Sequence, residues 1–201
     1  KNKNFIPFQQ GFKISINELK GLSSLSYYLH ALFAPYGFVN LQDLEQLMHS
    51  QSGKQLFSDK HRLIKDREFF LLTPIKESPS ESYSIDSELS AIEIPIRLAF
   101  MQEKNFKRGD SKSPMFDKAK LKFPLTLRKW KQSDYFYPSG LKGSKKLSKY
   151  FKDEKYSLLE KEAQWLLCSG ENIVWVIGKR ADQRFLADAD TKDKWLILYH
   201  D

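Results

Sequence analysis

Cysteine occurs once in 201 residues, at Cys168, so neither a disulfide framework nor a CxxC metal site can form within the chain. Cys168 ends the apolar run Trp165-Leu-Leu-Cys and reads as a buried strand thiol rather than a nucleophile. The four histidines, His30, His49, His61 and His200, show neither H-x-x-x-H nor H-E-x-x-H spacing, which argues against a zinc site. No apolar run reaches the roughly 18 residues that a membrane helix needs. The phosphate-binding pattern G-x-x-x-x-G-K-S/T and the nucleophile elbow G-x-S-x-G are both missing. No carboxylate sits in an apolar context that would raise its pKa. Asp153 and Asp182 read as partners of nearby lysines and of Arg180 or Arg184. The sequence therefore supports binding rather than turnover. A signal peptide is absent, and the start Lys1-Asn-Lys-Asn without Met suggests a fragment of a longer protein. A single unpaired thiol suits a cytoplasmic setting.

Negative charge is scarce in one place. From Lys118 to Lys152 there are eleven cationic side chains and a single acid, Asp134. Residues 101–160 hold 16 Lys+Arg against 7 Asp+Glu, and the remainder holds 17 against 18, so the net charge of +8 belongs to that segment. Such a field repels itself unless an anionic partner offsets it. Nucleic acid or an anionic membrane would serve. Pro124, Pro138 and several glycines break the segment, which argues against a long membrane-surface helix.

Within it lies Tyr135–Phe151, YFYPSGLKGSKKLSKYF. The spacing predicts a short helix after Gly143, with Ser144 as N-cap. Leu147, Tyr150 and Phe151 would share its buried side, and Lys145, Lys146 and Lys149 its outer side. A glycine-bracketed helix start among lysines is a natural phosphate site.

Taken in order, residues 1–20 are mixed and uninformative. Leu25, Tyr28, Leu29, Leu32 and Phe33 have helical spacing ending at Ala34-Pro-Tyr-Gly37. Asn40 can cap a second helix carrying Leu41, Leu44, Leu47 and Met48. KQLFSD, HRLIKD and EFFLLTP read as three strands, their charges roughly balanced. The Ser/Glu-rich stretch 76–90 reads as a linker. Residues 92–100 suggest a strand that Pro95 demotes to an edge or a bulge, and 102–114 a loop. Phe123–Trp130 reads as extended, Ser157–Ala163 as a helix, Trp165–Ile177 as a β-hairpin about Gly170-Glu-Asn172, 180–185 as a loop, and Lys194–Tyr199 as a last strand. The expected fold is α+β. A helical middle domain with a small β unit (1–75) precedes a compact mixed α/β C-terminal domain (76–201).

The stretches LKFPLTLRKWKQSDYFYPSGLKGSKKLSKYF and LLEKEAQWLLCSGENIVWVIGKRADQRF together resemble the C-terminal domain of the tRNA(Ile)-lysidine synthetase family. The resemblance covers about residues 117–199, and its most specific parts are PLTLRKW, the Lys-rich P-x-G-x-K-G-x-KKL and IVWV-x-G-x-R-x-D-x-RF. The chain departs from the family pattern at Ser133-Asp134 and at Pro138-Ser-Gly-Leu141. The resemblance implies a parent enzyme that attaches lysine to the wobble cytidine of the CAU-anticodon isoleucine tRNA, using ATP with Mg. That chemistry would lie in an N-terminal adenylating domain with a Ser-Gly-Gly-x-Asp-Ser loop, which this sequence lacks. The fragment itself would need no cofactor and would be inactive alone. It would grip tRNA backbone on the acceptor-stem side through Lys142, Lys145, Lys146 and Lys149, with Arg128, Lys129 and Lys131. Tyr135 or Tyr137 would meet a terminal base or pack in the turn, and Arg180 and Arg184 would reach phosphates or pair with Asp182. The alternative is a docking module that packs on the catalytic domain or forms a homodimer without binding RNA. Neither reading involves a membrane.

Overall fold

The structure, a computed structural model, describes residues 6–8, 11–75, 82–103 and 109–200. It divides into two units, Lys1–Ser78 and Pro79–Asp201, each with its own core.

In the first unit, β1 (Ile6–Phe8) and β2 (Gly11–Ser15) form a hairpin leading into α1 (Ile16–Lys20), where Ser15 Oγ accepts from the Glu18 backbone N–H at 3.3 Å. The mixed composition of residues 1–20 gives no sign of these elements. Then come α2 (Leu25–Phe33) and α3 (Leu41–His49). Asn40 caps α3, its side chain accepting from the Gln42 and Asp43 N–H groups, as the sequence predicts. Leu29, Leu32 and Phe33 of α2 and Leu44, Leu47 and Met48 of α3 are buried, whereas Tyr28 stays exposed. Strands β3 (Gln55–Phe57), β4 (His61–Asp66) and β5 (Phe69–Pro74) follow. The sheet has five strands in the order β1-β2-β5-β4-β3, two more than the sequence shows. Ile14, Leu63, Phe70 and Leu72 from its strands pack with the helices into one core.

The second unit carries β6 (Ser82–Ile85), β7 (Ala91–Ile92), β8 (Arg97–Glu103), β9 (Met115–Asp117), β10 (Leu125–Lys129), β11 (Tyr135–Phe136) and β12 (Lys145–Lys146). After α4 (Leu147–Asp153) and α5 (Leu158–Ala163) come β13 (Trp165–Ser169), β14 (Asn172–Val176), β15 (Arg180–Ala181) and β16 (Lys194–His200). One sheet runs β15-β14-β13-β10-β6 and another β7-β8-β16-β9. Leu125, Leu127, Leu167 and Trp175 of the first meet Leu98, Phe100, Trp195 and Ile197 of the second in a shared core. On the opposite side of the first sheet, Leu166, Cys168, Ile173 and Val176 pack with Phe136 and with Leu147, Tyr150 and Phe151 of α4. The β13–β14 hairpin is therefore buried on both faces, which is why its strands read as continuous apolar runs rather than alternating ones.

Four expectations are corrected. Residues 82–85, within the presumed linker, are an edge strand paired with β10. Residues 92–100 are not one strand, since β7 and β8 pair with each other across the turn that holds Pro95. The 180–185 loop contains a short strand, β15, paired with β14. Ser144 caps nothing: Lys145 and Lys146 are extended and α4 begins only at Leu147, with no side-chain cap. The reason is cross-strand pairing. The Lys145–Lys146 backbone pairs with Tyr135–Phe136, and the Leu147 N–H donates to Asp134 O at 2.8 Å.

Candidate nucleic-acid interface

The basic segment is built around the β11–β12 pair, in which Tyr135 lies opposite Lys146 and Phe136 opposite Lys145. Side chains alternate across a strand pair, and here the alternation separates function from packing. Phe136 is fully buried. Lys145, on its face, turns to Asp153 at 2.8 Å and lies 5.8 Å from the Tyr150 ring centre. That hydrogen bond holds the Asp153 carboxyl below its usual range. Tyr135 and Lys146 point outward, Tyr135 being 52% exposed. Lys142, in the turn before β12, and Lys149, on α4, are exposed too. Lys145, Lys146 and Lys149 thus do not form one helical face. With only seven residues in α4, no phosphate site is assigned to its start.

The turn into β11 is held by Asp134, which is 9% exposed. Its carboxylate takes both terminal nitrogens of Arg128 at 2.8 Å and the Lys131 N–H at 2.7 Å. Arg128 is thereby a positioning residue, its bidentate fork occupied within the fold. Lys131 uses only its backbone here and its side chain is exposed.

A second carboxylate organises the far side of the hairpin. Asp182 is fully buried and accepts four N–H groups: Tyr137 N at 2.9 Å, Arg184 N at 2.9 Å, Arg184 Nε at 3.0 Å and Arg184 Nη2 at 2.9 Å. The pairing expected from sequence is thus with Arg184, while Arg180 Nη1 donates to Ser139 O at 2.9 Å. Held in this way, the Arg184 guanidinium lies 4.1 Å from the Tyr137 ring centre. Tyr137 in turn meets Tyr135 edge-on, with ring centroids 6.4 Å apart. The outcome is a row, Arg184–Tyr137–Tyr135–Lys146, in which a cation, two rings and a second cation follow one another. Sequence reasoning named Tyr135, Tyr137, Lys146 and the pairing of Asp182 with Arg180 or Arg184 separately; what it missed is that the buried Asp182 also takes the Tyr137 N–H and so joins the row together.

Comparison with known proteins fits this segment. Residues 8–75 match the family model described as the TilS substrate binding domain, and residues 125–197 match that described as the TilS substrate C-terminal domain. The chain belongs to the tRNA(Ile)-lysidine synthase family. It is 40% identical over 198 residues to the tRNA(Ile)-lysidine synthase of Parabacteroides distasonis, covering 93% of this chain and 44% of that protein. Identity to the tRNA(Ile)-lysidine synthase of Bacteroides thetaiotaomicron is 37% over 174 residues, 86% of this chain and 39% of that one. The chain thus spans less than half the length of these curated relatives. In fold it matches a solved structure titled "Crystal structure of TILS C-terminal domain", with a TM-score of 0.51 at 19% identity, covering 59% of this chain and 95% of the other.

All ten candidate residues fall inside the region matching the TilS C-terminal model. Among the described residues no group of three or more His, Cys, Asp or Glu gathers as metal ligands. Nor is any helix among them long and apolar enough to cross a membrane.

Lys129 stands apart from the other lysines. Its Nζ donates to Ala163 O at 2.7 Å, at the end of α5, and lies 4.1 Å from the Trp165 ring centre. Burial against that ring lowers its pKa to about 8. An unfolded lysine titrates near 10.4, so between roughly pH 8 and 10.4 the unfolded chain binds more protons than the folded one, and stability relative to a Lys129→Met variant rises with pH. The amine is half-exposed and screened, so the gain is on the order of 1 kcal/mol. Urea unfolding of both proteins across this window measures it; a difference independent of pH would contradict the lowered pKa.

Proposed function

We propose that this chain is the tRNA-binding C-terminal region of a cytoplasmic tRNA(Ile)-lysidine synthetase, which attaches lysine to the wobble cytidine of the CAU-anticodon isoleucine tRNA at the expense of ATP. The chain grips tRNA backbone on the acceptor-stem side and leaves adenylation and lysine transfer to an N-terminal catalytic domain. The observation that carries this reading is the outward set Lys142, Lys146 and Lys149 with Tyr135, placed by the β11–β12 pair within the only basic surplus of the chain. Double-helical RNA presents phosphates, 2′-hydroxyls and shape rather than readable base edges, and unpaired ammonium groups suit that surface. Lys131 extends the set. Arg128, Lys129, Lys145 and Arg180 shape it from within, because each has a partner inside the protein. The first unit acts as a second tRNA-binding or linking domain. Retention of tRNA by the chain as a function of salt tests the reading.

One observation favours a docking role alongside it. On the outward face of the β7-β8-β16-β9 sheet, Met101 is 51% exposed opposite Leu196, and Leu198 faces Ala99. A catalytic domain or a second copy packed there would cover this apolar strip. Sedimentation of the chain alone, and after mixing with the catalytic domain, separates the two partners.

A further inference from the structure

We propose that the Arg184–Tyr137–Tyr135–Lys146 row seats an unpaired ribonucleotide, its base stacked on the Tyr135 ring and its phosphate against Lys146; this rests on the tRNA-binding reading above. The first reason is exposure. Strand alternation turns Tyr135 away from the core that Phe136 beside it enters, and its large ring remains 52% exposed. The second is rigidity. Tyr137, the ring supporting it, is fixed from below by its own N–H on the buried Asp182 and from the side by the Arg184 guanidinium, which the same carboxylate holds through two side-chain nitrogens. A ring supported in this way offers contact area at low entropic cost. The third is adjacency. Strand register sets Lys146 directly across from Tyr135, within the roughly 5 Å at which cross-strand side chains interact.

Aromatic rings next to cations serve a particular kind of nucleic acid. Bases inside a duplex are stacked on both faces and have no free surface, whereas a base beyond the last pair, or one displaced from the helix, has one. A lysine field alone would not distinguish the two. Stacking on an aromatic side chain gives every base some affinity, with little sequence preference. The row therefore adds a preference for unpaired nucleotides to a grip that otherwise sees only backbone charge.

The test compares the full chain binding two RNAs at low salt: a tRNA(Ile) transcript with its unpaired 3′ nucleotides, and the same transcript trimmed to the last base pair. The intact transcript is expected to bind about 5- to 100-fold more tightly, the span that stacking of one base accounts for. Tyr135→Ala should bring the ratio of the two affinities to within about twofold, and Tyr135→Phe, which keeps the ring, should restore it. Circular dichroism of both variants confirms that each is folded. Equal affinities for the two RNAs with the wild-type chain, or a ratio unchanged in Tyr135→Ala, overturns the stacking site while leaving tRNA binding intact. Failure to retain either RNA overturns the stacking site and the tRNA-binding reading together.

Discussion

Asp182→Ala is expected to destabilise the C-terminal unit by about 2–4 kcal/mol, seen as a lower urea midpoint with an unchanged slope. The carboxylate is fully buried and receives four N–H groups. Arg184 is 35% exposed and can turn to water once its partner is gone, so the guanidinium adds little to the cost. The part-buried Tyr137 and Arg184 backbone N–H groups cannot follow it, and an unsatisfied donor costs up to about 1–3 kcal/mol when buried. Because typical domains have only about 5–15 kcal/mol in reserve, the loss is a large fraction of the total. Asp182→Asn keeps the shape but turns an amide donor toward N–H donors, so it should recover less than half of the loss. A midpoint unchanged by either substitution would mean that Asp182 does not tie the 137 and 184 segments together.

The largest functional effect is expected from reversing three charges. Lys142→Glu, Lys146→Glu and Lys149→Glu together should weaken tRNA binding by about a hundredfold or more at low salt, because each change removes a phosphate contact and adds a repulsion. These side chains are exposed, so the fold should be unaffected, and surface changes of this kind generally shift stability by less than about 0.5 kcal/mol. Lys145→Gln is the informative contrast. It removes an amine already paired with Asp153, and its effect on binding should be much smaller than that of Lys146→Gln. Equal effects would mean that RNA draws Lys145 away from Asp153.

How far these features were legible in the sequence depended on whether neighbours in the chain or distant partners decided them. The α3 cap at Asn40 and the Ser157–Glu160 capping box on α5 are local, and both helices read correctly. So did the β13–β14 hairpin, whose apolar strands flank a turn with Gly170 at a φ of +56°. Lys145 and Lys146 read as helix, because their apolar neighbours Leu147, Tyr150 and Phe151 have helical spacing. Pairing with a strand ten residues earlier overrides that local preference. The strand at 82–85 was hidden for another reason. An edge strand with polar residues facing solvent looks like a linker until its partner, β10, is known.

The candidate site divides along the same line. Local charge density marked the basic segment, but it could not sort cations paired within the fold from open ones. Arg128 and Asp134 are six residues apart, and Lys129 meets a carbonyl 34 residues away. Tyr137 and Arg184 come together only through the bridge between Pro138 and Asp182 and the Asp182 carboxylate. The sequence named the lysines; tertiary contacts decided which of them face outward.

The most direct measurement is the salt dependence of tRNA(Ile) binding by this chain. With three to four phosphate contacts, log K against log[salt] should fall with a slope of about −2 to −4, at roughly 0.7–0.9 per contact. Reversing Lys142, Lys146 and Lys149 should flatten it toward zero. A chain that retains no tRNA at low salt, or that binds it with a slope indifferent to those three lysines, would contradict the grip proposed here.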